Sequence, residues 1–123
     1  MKNNILIALA ICATMQLAHA QYPDFTYESP KIKAQARNLT KVYDAELALD
    51  GEQIVIVQDK IEDYLVLSNS VKKNLEGQEE LDALTELMIK ETLDMQDVLT
   101  RPQYERYKQI RQRVQPIKVY SKK

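Results

Sequence analysis

Glycine occurs only twice in the 123 residues, as Gly51 and Gly77, and there is one cysteine (Cys12), one histidine (His19), one phenylalanine and no tryptophan. Each scarcity excludes something. A chain so poor in glycine, and rich instead in charged and long-chain residues, is badly suited to strands and tight turns and well suited to helices. A single cysteine forms no internal disulfide. A single histidine and a single thiol, both among the first twenty residues, leave little for nucleophilic catalysis or transition-metal binding further along.

Those two residues lie in a segment with the layout of a cleaved export signal. Lys2 supplies the positive start, Ile5 to Leu17 is apolar apart from Thr14 and Gln16, and Ala18-His19-Ala20 sets small residues where signal peptidase reads. The apolar run of about 13 residues falls short of the roughly 20 that cross a bilayer. A lipidated Cys12 is disfavoured as well, because branched Ile11 precedes it and cleavage there would halve the apolar run. Cleavage after Ala20 predicts export to the periplasm, with secretion as the alternative. Removing twenty of the 123 residues leaves 103, starting at Gln21, with no thiol and no imidazole. That is one small domain, able to bury about two-thirds of its unfolded surface. It enters an oxidising compartment without a disulfide, so packing or oligomerisation has to hold it together.

Charge is unevenly spread. From Asp44 to Asp97 there are 15 acids against four lysines, whereas from Arg101 to Lys123 there are eight basic residues and only Glu105. An acidic body with a basic tail favours self-association or the steering of charged partners. The plainer reading is a solvated helical surface.

Residues 21–28 (QYPDFTYE) read as an N-terminal arm whose Tyr22, Phe25 and Tyr27 can pack onto the body. Ser29-Pro30 is a helix start, Ser capping and Pro in the first turn. Ile32, Ala36, Leu39, Val42 or Tyr43, and Leu47 then recur at helical steps to about Leu49. Asp50 and Gln53 make a capping box for a second helix carrying Ile54, Val57, Ile61, Tyr64 and Leu65. The run Ile54-Val55-Ile56-Val57 is β-prone, but the cap before it and the helical period beyond it argue for helix. Ser68-Asn69-Ser70 weakens this helix and Gly77 is a natural stop. A third helix is expected from about Gln78 to Val98, with Leu81, Leu84, Met88, Glu91, Met95 and Val98 on one face and Glu91 at its edge. Thr100 and Gln103 repeat the capping box, with Pro102 in the first turn, for a short fourth helix marked by Tyr104, Tyr107, Ile110 and Val114. Pro116 ends it, so the helical domain covers residues 29–115 and a basic tail residues 116–123.

Two segments share one form. Leu49-Asp50-Gly51-Glu52-Gln53 and Leu99-Thr100-Arg101-Pro102-Gln103 both read Leu-(Asp/Thr)-x-x-Gln, each closing one apolar helix and opening the next. With the export signal and the all-helical body, this pair resembles the twin LTxxQ signature of the Spy/CpxP family of small envelope proteins, over about residues 31 to 115. The second copy fits fully, while the first has Asp50 in place of Thr and keeps its capping chemistry. The resemblance implies an all-α fold of three to four helices in extended hairpins, pairing as an antiparallel homodimer. It gives Leu49, Asp50, Gln53, Leu99, Thr100 and Gln103 structural roles at helix junctions. It further implies an ATP-independent chaperone of unfolded envelope proteins, or a regulator of envelope-stress sensors. Metal-sensing relatives use His, Cys or Met-rich segments, and the exported chain has neither His nor Cys.

Other chemistry is poorly served. Ser29, Ser68, Ser70 and Ser121 have no partner motif for nucleophilic catalysis. Glu62-Asp63 and Glu79-Glu80 are carboxylate pairs in form but fall on expected solvated faces, and no loop has the alternating oxygen ligands of a calcium site. Asn38-Leu39-Thr40 is a glycosylation sequon only in form, inside a helix. Arg101, Arg106, Lys108, Arg111 and Arg113 beside Tyr104 and Tyr107 are basic residues interleaved with aromatics. Export argues against nucleic acid and for an anionic surface as their charged partner. Ile54, Val57, Ile61, Tyr64, Leu84, Met88, Met95, Tyr104 and Tyr107 are the candidate client or dimer face, the alternative being ordinary core. The expectation is a non-enzymatic, cofactor-free binding protein of the envelope. Its alternative is a structural or regulatory partner that docks one envelope component through the acidic body and basic tail.

Overall fold

The computed structural model describes residues 29–119; the expected signal segment 1–20, the expected arm 21–28 and residues 120–123 lie outside them. Four helices follow one another: α1 (Pro30–Leu47), α2 (Gly51–Asn74), α3 (Gly77–Gln96) and α4 (Arg101–Val114). The described residues contain no strand, and Ile54-Val55-Ile56-Val57 lies in the first turns of α2.

Local sequence explains most boundaries. Pro30 opens α1, and the Ser29 carbonyl takes the first helical bond from the Lys33 amide (3.1 Å), although the Ser29 side chain makes no capping bond. α1 ends two residues sooner than its apolar period suggests, because Ala48 adopts a left-handed conformation (φ 52°) and its amide bonds back to the Asp44 carbonyl at 2.9 Å. A Cβ in that region costs about 1–2 kcal/mol. Ala48→Gly is therefore expected to stabilise the protein by up to about 1 kcal/mol after the entropy of glycine in the unfolded chain is deducted. A urea titration that shows a lower midpoint would contradict this.

The weak stretch Ser68-Asn69-Ser70 does not interrupt the helix. α2 runs through it because its polar groups bond back along the helix, Ser68 Oγ to the Leu65 carbonyl (3.1 Å) and Asn74 Nδ2 to the Ser70 carbonyl (2.9 Å). Gly77 does mark the break between helices, but with φ 59° it stands at the start of α3 rather than past the end of α2.

α1 packs on α2, α2 on α3, α3 on α4, and α4 closes back on α1. Inside this ring lie Ala36, Tyr43, Leu47, Leu49, Val57, Ile61, Leu65, Met95, Leu99, Tyr107 and Ile110. Tyr43 rather than Val42 takes the inward position on α1. At about 1.5–3 kcal/mol for each large side chain removed from water, this core holds the fold without a disulfide. No described helix is long and apolar enough to cross a membrane.

Candidate functional site

The two junctions meet at one end of the bundle. Each has its capping box: Asp50 accepts from the Gln53 amide (2.8 Å) and Thr100 from the Gln103 amide (3.4 Å). Each glutamine returns a bond to its cap, Gln53 Oε1 accepting from the Asp50 amide (3.0 Å) and Gln103 Oε1 from the Thr100 amide (2.9 Å). The two side chains also bond each other. Gln53 Nε2 donates to Gln103 Oε1 (2.8 Å) and Gln103 Nε2 to Gln53 Oε1 (3.1 Å). Their remaining hydrogens cross the bundle, from Gln53 Nε2 to the Val98 carbonyl (3.1 Å) and from Gln103 Nε2 towards the Leu47 carbonyl (3.3 Å). Leu49 and Leu99, the residues before each cap, are both buried in the core, and Ile54 and Tyr104 pack against it one turn on. All six motif residues thus form one structural clamp tying the α1–α2 junction to the α3–α4 junction.

A buried polar cluster lies along the bundle from this clamp. Glu91 on α3 and Arg111 on α4 are 4% and 3% exposed, and Arg111 Nε donates to Glu91 Oε1 at 3.0 Å. Tyr107 donates to the same oxygen (2.9 Å), and Gln115 Nε2 reaches the other at 3.5 Å. Tyr43 donates to Gln115 Oε1 (2.6 Å), Arg111 Nη1 donates to the Gln115 carbonyl, and the guanidinium lies over the Tyr64 ring at 5.0 Å. Burial pushes the Glu91 carboxyl above its ordinary value, and the Arg111 charge pulls it back only in part. Burial works against the Arg111 charge, but Glu91 together with Tyr64, Tyr107 and Tyr43 outweighs it, so Arg111 holds its proton more firmly than usual. Burial raises the phenols of Tyr43 and Tyr107 as well. The result is an internal cross-link between α1, α3 and α4.

The sequence placed several of these residues differently. Glu91 is not at the edge of its stripe but inside. Arg111 is not a surface contact: at helical spacing from Tyr107 it points inward, where Glu91 meets it. Within the proposed client or dimer face, Val57, Ile61, Leu84, Met95 and Tyr107 are core of the single chain and present no surface. The ring of four helices buries those stripes by itself. Ile54, Tyr64, Met88 and Tyr104 are half-buried; Tyr104 stacks on Tyr107 (6.5 Å between centroids), and Gln112 Nε2 donates to Met88 Sδ at 3.3 Å. Of the other basic residues, Arg106 and Arg113 both bond Glu46 on α1 (2.8 and 2.9 Å), and Lys108 pairs with Glu105 (3.0 Å). Arg101 is exposed.

The surface that remains apolar is elsewhere. Leu81, Ile89 and Leu93 on α3 are 39%, 50% and 56% exposed. Leu81 was expected on the inward stripe, whereas Ile89 and Leu93 carry a signal that went unread: two bulky residues lying off the Leu84, Glu91, Met95 stripe. Comparison with known proteins adds nothing to this geometry, since no family model, no curated protein and no solved structure matches the chain.

Proposed function

We propose that this chain is a non-enzymatic binding protein of the chaperone type, exported to the periplasm by cleavage after Ala20, which holds apolar segments of unfolded envelope proteins on the outer face of α3. The observation that carries the reading is the exposure of Ile89 and Leu93 together on the side of α3 opposite buried Leu84, Glu91 and Met95, with Leu81 exposed on the flank. Exposed apolar side chains grouped on one face mark interaction surfaces more often than scattered ones do. Two features support it: the likeness of the paired Leu-(Asp/Thr)-x-x-Gln junctions to the Spy/CpxP signature, and the internal bonding of those junctions, which makes them scaffold for a face elsewhere. The antiparallel homodimer implied by the same likeness belongs to the proposal, and it would set two such faces on one particle.

Without ATP and at near-stoichiometric amounts, the purified protein is expected to suppress the light scattering of a client diluted from denaturant. Ile89→Ser with Leu93→Ser should weaken that suppression several-fold and leave the helical circular dichroism unchanged, since both side chains face solvent. Absence of suppression over a range of clients would sink the reading.

A further inference from the structure

The outer face of α3 is not uniformly apolar. Asp82, Glu86, Ile89 and Leu93 follow one another at helical spacing and share one stripe, all of them exposed, with exposed Glu79 one turn before. The stripe is anionic in its first half and apolar in its second. Asp82 accepts only a neutral side-chain bond, from Gln78 Nε2 at 2.7 Å. Lys90, the one basic residue of α3, is paired with Asp94 at 2.8 Å. An occupant that matches this face has to bring positive charge within about two helical turns of bulky apolar side chains.

A second copy of the described chain offers no such match. A parallel second α3 would set Asp82 and Glu86 against carboxylates, and an antiparallel one would set them against Leu93 and Ile89, which bring no positive charge. The outer side of α4 is basic but exposes no large apolar residue, and the outer side of α1 combines exposed Lys31, Arg37 and Lys41 with Val42 alone. α2 exposes Val55 among the acids Glu52 and Asp59.

We propose that the α3 face seats a cationic amphipathic segment of another polypeptide, its lysines or arginines at Asp82 and Glu86 and its apolar side chains on Ile89 and Leu93. This rests on the binding-protein reading above and names the client class. Charges at the rim of such a contact set its on-rate, its selectivity and its salt dependence, while the apolar half holds the segment once docked.

The probes are two synthetic helical peptides with leucine on one face, one carrying lysine and the other glutamate opposite, titrated calorimetrically into the whole protein and mapped by amide shifts. The lysine peptide is expected to bind about tenfold or more tightly than the glutamate peptide at low salt. The gap should close in 1 M salt, where screening acts over about 3 Å. Asp82→Lys with Glu86→Lys should reverse the order, whereas Ile89→Ser with Leu93→Ser should weaken both peptides and leave it. Equal affinity for the two peptides overturns the proposal, as do shifts confined to α1 or α4. It also falls if the solution mass rises with concentration and the lysine variant abolishes the rise, because the occupant is then a second copy. If aggregation is suppressed but the peptides are not distinguished, the client class fails and the chaperone reading stands. If the lysine peptide binds α3 but no client is protected, the chaperone reading fails and this one stands.

Discussion

Arg111→Ala is expected to destabilise the protein by about 3–5 kcal/mol at neutral pH, because it leaves the Glu91 carboxylate buried without a counter-charge. In a domain whose total stability is about 5–15 kcal/mol, that brings unfolding within reach of mild denaturant. The pH dependence identifies the cause. Glu91 already sits above its ordinary value of 4.5 through burial, and without Arg111 it rises further. A carboxyl whose folded pKa is raised binds its proton more tightly in the native state. Its favourable contribution is present below the unfolded value of 4.5 and is lost as pH climbs through the folded one. The gap between wild type and Arg111→Ala should therefore be widest at neutral pH and narrow below pH 4.5. Replacing both partners, as Glu91→Met with Arg111→Leu, should cost less than Arg111→Ala alone, since no charge is then stranded. Urea titrations of the three proteins from pH 4 to pH 8 check all of this. A pH-independent gap would assign the loss to packing against Tyr64 instead.

Gln53→Glu combined with Gln103→Glu is expected to cost clearly more than the sum of the two single changes, each of which costs about 2 kcal/mol. Judged locally these are neutral changes, because glutamate closes a capping box as well as glutamine does. The clamp makes them costly. Each amide uses its oxygen for its own cap and its nitrogen for the opposite junction. A carboxylate keeps the first bond and cannot make the second. In the double variant two carboxylates meet where two amides now exchange hydrogen bonds, so one of them must take up a proton. The extra loss should consequently grow as pH rises. Strict additivity of the two single changes, measured in a double-mutant cycle, would show that the junctions act independently and that the cross-bonds between the glutamines contribute nothing.

The same two places separate what was legible in the chain from what was not. Asp50, Thr100 and their glutamines could be read as caps because a capping box is a local bond pattern within four residues, and the helices they open are where the apolar period puts them. Pro30 and Gly77 likewise mark the breaks around them, proline through its fixed φ and glycine through its freedom to adopt a positive one. The end of α1 at Leu47 was less legible, since Ala48 carries no sign in its side chain of the left-handed turn it adopts. How far Ser68 to Ser70 weaken α2 was not legible for a similar reason. A serine can bond its own helix or break it, and only the chain around it decides.

Burial was the part that spacing could not give. A stripe of Leu84, Glu91 and Met95 says that one face of α3 is distinct, but not that the glutamate goes in with the leucine. Periodicity counts positions, while the cost of burying a charge depends on what faces it, and Arg111 reaches Glu91 from another helix. Val57, Ile61, Leu84, Met95 and Tyr107 are core for the same reason: four stripes turned toward one axis cover each other. Left outside are Val42 and Val55 and, on α3, Leu81, Ile89 and Leu93, the residues on which the proposed function rests.

The amino-acid order by itself determined the helices, the two junctions and the residues that cap them, because these depend on bonds between near neighbours along the chain. Tertiary structure alone decided that the glutamine closing each capping box also bonds across to the other junction, that Glu91 and Arg111 form an interior pair, and which apolar face of α3 is left exposed. Each of those depends on a group brought close by folding from a distant part of the chain.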